Sequence, residues 1–132
     1  MEDLIVMENS SLYKRTNLEN RLIDFALTIR DLLIKLPNDD FAKVIKNQLS
    51  RSSTSPAFNY GEAQSAESRK DFIHKLGICL KELRETMVGL KFIERGIYIQ
   101  EISLLDSLMK ENNELISIFM KSIETARKNL KK

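Results

Sequence analysis

The sequence predicts an all-α protein, an up-and-down antiparallel four-helix bundle whose copies associate. Three observations predict it. Only four Gly and two Pro among 132 residues leave few places for turns, so the elements must be long. Apolar residues recur three and four positions apart through four segments. Two of those segments carry more apolar surface than one bundle interior takes. A chain of this length fits a single domain, read here as 1–132 with a polar lead-in over 1–16 and helices at about 17–36, 39–66, 68–94 and 100–129.

The first helix opens where Thr16 or Asn17 offers a capping side chain, and its stripe runs through Leu18, Leu22, Phe25, Ile29, Leu32 and Leu36. Pro37 and Asn38 stop it. Asp39 and Asp40 then place carboxylates at the positive end of a second helix, and the short turn makes the two helices antiparallel neighbours. The second helix takes Phe41, Val44, Ile45, Leu49, Ala57, Phe58 and Ala63 as its apolar set. Its hydroxyl-rich middle, RSSTSP, ends in Pro56, which lacks a backbone donor. One kinked helix is expected there rather than a loop, because Ser and Thr bond back to the helical backbone and the pattern resumes without a Gly. Ser68 and Asp71 are spaced as a cap and its third helical position, which opens a third helix with the stripe Phe72, Leu76, Leu80, Leu83, Met87 and Leu90. Gly96 supplies the last break before the fourth helix.

On the first helix, Ile23, Leu27 and Ile34 lie nearly opposite the stripe through Phe25 and Ile29 and form a second apolar strip. The fourth helix repeats this. Its apolar residues, Leu104 among them, cover an arc of roughly 160°, and Ile118 lies beyond even that. Ile23, Leu27, Ile34, Leu104 and Ile118 therefore form either the interface of a homo-oligomer, which is the expected reading, or a docking groove for a partner helix.

Twenty-one basic residues against nineteen acidic ones give a net charge of +2, which neither demands nor forbids a nucleic-acid partner. The C-terminal end is locally positive. Lys121, Arg127, Lys128, Lys131 and Lys132 there either complement the dipole of their own helix or contact a nucleic-acid backbone. The single cysteine, Cys79, forms no internal disulfide and fits a reducing compartment. The early run Leu4-Ile5-Val6-Met7 is too short for a signal core, and no apolar stretch approaches the roughly 18 residues of a membrane span. A cytoplasmic protein without membrane contact is expected.

Arg51, Ser55, Asn59 and Glu62 form a polar row along the second helix at steps of four, four and three. As a recognition strip, the row would offer Arg51 to a phosphate or carboxylate. As a structural network, it would pair Arg51 with Glu62 or with Glu82 or Glu85 of the third helix, while Ser55 and Asn59 bridge helices. Carboxylates three residues apart recur as Glu82/Glu85 and Glu111/Glu114, an arrangement that on facing helices holds a divalent metal in all-α nucleotide hydrolases. The lone His74 lacks the second carboxylate/His pair of a di-iron bundle. Cys79 has no adjacent base, and no Gly-rich phosphate loop appears. No catalytic residue, metal or cofactor is expected.

The run NQLSRSSTSPAFNYGEAQSAESRKDFIHKLGICLKELRET, Asn47 to Thr86, resembles the central signature of the bacterial four helix bundle protein family, the 23S rRNA intervening-sequence proteins. The corresponding residues include Gln48-Leu49, Arg51-Ser52, Thr54-Ser55, Asn59-Tyr60, Glu62-Ala63, Asp71-Phe72, Lys75-Leu76 and Lys81-Glu82. The resemblance extends from about Leu18 to Lys128, and Val88-Gly89 departs from it where many members carry aromatics. It implies a bundle assembled as a homopentamer ring with no established enzymatic activity. Related bundles serve as accessory proteins to reverse transcriptases, and such relatives are generally more basic than this chain. The expected function is thus that of a non-enzymatic oligomeric scaffold associating with RNA or a nucleic-acid-processing partner. A metal-dependent hydrolase using the acidic pairs is the alternative.

Overall fold

The computed structural model describes the backbone of residues 2–97 and 99–130 and the side chains of 17–97 and 99–130. Four helices follow in order: α1 Glu2–Ile34, α2 Asp40–Gln64, α3 Arg69–Gly96 and α4 Ile102–Leu130. Each packs against its neighbour in the chain, α1 closes the bundle against α4, and α2 against α3 is the most extensive pairing. The expected architecture of four long helices is present. None of the described helices is long and apolar enough to cross a membrane.

The expected start of α1 at Thr16 or Asn17 is corrected, because the helix runs from Glu2. The stretch read as a lead-in contains no Gly or Pro, so no residue type in it interrupts backbone hydrogen bonding. At the other end, Lys35 N–H and Leu36 N–H donate to the carbonyls three residues back, tightening the last turn before Pro37. The Asp39 carboxylate accepts from Ala42 N–H at 3.0 Å and caps α2. Ser68 does the same for α3, its hydroxyl accepting from Asp71 N–H at 3.0 Å. α2 passes through Pro56 as one helix.

The interior is filled by Leu22, Ile29 and Leu32 of α1, Leu49 of α2, Leu76, Leu83, Leu90 and Ile93 of α3, and Leu115 and Phe119 of α4. Each such side chain contributes about 1.5–3 kcal/mol on leaving water. Tyr60 meets Phe119 edge-on across the interior, with centroids 5.9 Å apart. On α2 the buried stripe is Ala42, Ile45, Leu49, Ser52, Pro56, Tyr60 and Ala63, which corrects part of the expected core. Phe41 and Val44 are exposed because each lies one residue off that stripe, a rotation of about 100° around the helix, and Phe58, midway between Pro56 and Tyr60, because it lies two residues off and faces nearly opposite. Gly89 sets the distance between α2 and α3: a Cβ there would stand 2.6 Å from Leu49 Cδ2.

Candidate functional site

The outer face shared by α2 and α3 gathers most of the polar residues singled out from the sequence. Arg51 projects from α2 between two α3 carboxylates one helical turn apart. It donates to Glu82 at 3.0 Å and to Glu85 at 2.5 Å, with a longer bond of 3.3 Å to Gln48. The Arg51 guanidinium holds the Glu85 carboxyl below its usual range, mainly through that hydrogen bond, and the two carboxylates in turn raise Arg51. Glu82 is buried, whereas Arg51 is about half exposed. The pair thus joins a dry carboxylate to a wet guanidinium.

The rest of the row does not converge on Arg51. Asn59 Nδ2 donates to the Ser55 carbonyl and hydroxyl, both at 3.0 Å and within α2, so these two side chains do not bridge helices as expected. Glu62 pairs with Lys75 at 3.0 Å instead of with Arg51, because Glu62 stands three turns farther along the helix. The bridging hydroxyl is Ser52. The Thr86 hydroxyl lies 2.9 Å from both the Ser52 hydroxyl and the Glu82 carbonyl; having one proton, it donates to the carbonyl and accepts from Ser52. Ser52 sits on the apolar stripe of α2, and a small polar residue on such a stripe was the available signal for it.

A second clamp repeats the first between α1 and α4. Arg21 donates to Glu111 at 3.1 and 2.6 Å and to Glu114 at 3.1 Å, and the hydrogen bond to Glu111 is the leading cause of its raised pKa. It lies in a surface groove of about 380 Å³ with Asp24, Thr28, Ser107 and Lys110 on its walls. Both acidic pairs read as candidate metal ligands are therefore engaged by an arginine from the neighbouring helix. A divalent cation would have to displace a guanidinium from each. Among the described residues no cluster of three metal-ligating side chains occurs.

Two buried groups complete the polar inventory. Asn112 of α4 donates from Nδ2 to the Leu83 carbonyl at 2.9 Å, and its Oδ1 has no described partner. Cys79 is buried with its thiol donating to the Pro56 carbonyl at 3.4 Å, and desolvation pushes its pKa up to about 12. That thiol stays protonated and is no nucleophile.

Of the expected interface, Ile23, Leu27 and Ile34 are 43%, 44% and 73% exposed and form an outward ridge on α1. Beside the ridge runs a groove of about 520 Å³ between α1 and α2, reaching Ser50 and Thr54. Leu104 packs against the core and Ile118 is half-buried, while Ile102, Met120 and Leu130 are the exposed large apolar residues of α4. A second apolar surface lies across α2 and α3, where Phe41 and Phe92 meet edge-on at 6.1 Å beside Val44 and Val88. Lys121, Arg127 and Lys128 are exposed near the end of α4, with Lys128 paired to Glu124 at 3.2 Å. Lys131 and Lys132 lie outside the described residues.

A family model described as the 23S rRNA-intervening sequence protein matches residues 14–121. Among solved structures, a protein of unknown function from the S23 ribosomal protein family of Bacteroides thetaiotaomicron is 33% identical, with a TM-score of 0.74 over 84% of this chain and 98% of that one. No curated protein matches the chain.

Proposed function

The chain belongs to the 23S rRNA-intervening sequence protein family, and from that premise we propose that it is a non-enzymatic, cytoplasmic, self-assembling scaffold that associates with RNA. The observation that carries the assembly is the placement of its exposed apolar residues. They fall on two different faces, the α1 ridge of Ile23, Leu27 and Ile34 and the α2/α3 patch of Phe41, Val44, Val88 and Phe92. Surfaces of this kind mark contacts between proteins. Two unlike patches on one protomer suit head-to-tail packing, in which the ridge of one copy meets the patch of the next and rotation closes a ring. Five copies are the number that the sequence resemblance implies.

Non-enzymatic character is supported by the chemistry of the polar groups. Each acidic pair is engaged by an arginine, and the one thiol is kept protonated by burial. The test of assembly is Leu27→Glu, measured by light scattering beside circular dichroism. A folded helical protein with the mass of one protomer is the expected result. An unchanged mass means the α1 ridge faces solvent in the assembly and the proposal is wrong.

A further inference from the structure

We propose that the α3/α4 face carries a phosphate track, a line of cations along which the backbone of a structured RNA lies. The inference rests on the RNA association proposed above and assigns it a place. Lys70, Lys81, Arg84, Lys91 and Arg95 are all exposed, and at about 100° per residue they share one stripe of α3 with an arc of about 80°. The other residues on that stripe are Ile73, Gly77 and Val88, so it contains no carboxylate, and at Val88 it borders the α2/α3 apolar patch. None of the five cations forms an ion pair with another described residue, though Lys81 helps keep the Glu85 carboxyl of the same helix ionised.

The two arginine clamps hold the acidic pairs of α3 and α4 toward other neighbours. Glu82 and Glu85 are turned to the α2 side of α3 and held by Arg51, while Glu111 and Glu114 are turned to the α1 side of α4 and held by Arg21. The groove between α3 and α4 is left with cations on one bank. Arg84 reaches across it, its guanidinium 3.7 Å from the Met120 sulfur, and Ile116 and Met109 lie on the same face of α4 one and three turns back.

From Lys70 to Arg95 the track runs about 37 Å at 1.5 Å per residue. It has no aromatic side chain on which an unstacked base could lie, so backbone contact rather than base stacking is its mode. The track also differs in position from the C-terminal cluster of Lys121, Arg127 and Lys128.

The test is binding of a fluorescein-labelled 16-base-pair RNA hairpin to the full chain, followed by anisotropy across a series of KCl concentrations. Neutralising Lys81→Gln, Arg84→Gln, Lys91→Gln and Arg95→Gln together should weaken binding at least tenfold near 0.1 M salt. It should also flatten the log–log salt slope by about 3.6, since each phosphate contact on a duplex contributes about 0.9. The charge-preserving set Lys81→Arg, Arg84→Lys, Lys91→Arg and Arg95→Lys should bind as the wild type does. If the fourfold variant fails to melt cooperatively, Lys91→Gln and Arg95→Gln singly should each lower the slope by about one.

Wild-type binding that neutralisation leaves unchanged overturns the track while sparing RNA association. Equal competition by poly-glutamate overturns it too, by making the stripe a site for an acidic protein. A wild type that binds no hairpin at any salt removes both readings.

Discussion

Asn112 shows how much one side chain can be held to. It is fully buried on α4 with a donor satisfied by Leu83 and an acceptor facing no described partner. Asn112→Asp removes the only bonded donor and turns a second oxygen toward a carbonyl in a dry site, so urea melts should show a loss of at least about 2 kcal/mol. Gly89 is held by space. Gly89→Ala drives a methyl into Leu49, which is itself fully buried, and should cost about 1–3 kcal/mol in the same measurement. Cys79, with a pKa near 12, should resist an aromatic disulfide reagent at pH 8 in the native protein and react promptly in denaturant. Rapid native labelling would show that the α2/α3 contact opens readily.

Between elements, the arginine clamps tie antiparallel neighbours at a fixed register, α2 to α3 through Arg51 and α1 to α4 through Arg21. Both use an acidic pair one turn apart: Arg51 spans its pair with Nη1 and Nη2, and Arg21 reaches Glu111 through Nε and Nη2 and Glu114 through the same Nη2. The Glu85 carboxyl is held below its ordinary value near 4.5, so the folded state prefers it ionised. Its contribution is therefore complete above the unfolded value and disappears as pH falls through the lower folded one. Wild type should exceed Glu85→Gln in stability at pH 7, and the gap should close progressively below about pH 4.3. A gap that persisted at pH 2 would show that the carboxylate charge is irrelevant to the clamp.

At the scale of the whole molecule, the two apolar surfaces make a prediction that separates head-to-tail from two-fold packing. Leu27→Glu spoils the α1 ridge and Phe92→Glu the α2/α3 patch, each leaving the other surface intact. Alone, each variant should be a protomer in light scattering. Mixed, they should form a heterodimer and nothing larger, because one intact ridge can meet one intact patch only once. A two-fold interface uses the same patch on both copies and would give no rescue.

The helices were legible from the sequence because helix formation is written in local spacing. Apolar residues at three and four, Pro37, and the capping residues Asp39 and Ser68 act within a turn or two of where they stand. The outward ridge of Ile23, Leu27 and Ile34 was legible for the same reason. Beyond these, the result depended on how one helix is turned against another. Phe41, Val44 and Phe92 could have been core or surface until the rotation of α2 and α3 was known. Arg51 had three carboxylates to choose among, and only the approach of α3 gave it Glu82 and Glu85. Which neighbour each acidic pair meets was likewise undecided until the packing was known, since a side chain's partner across a bundle is set by helix rotation and rise, which no local pattern records.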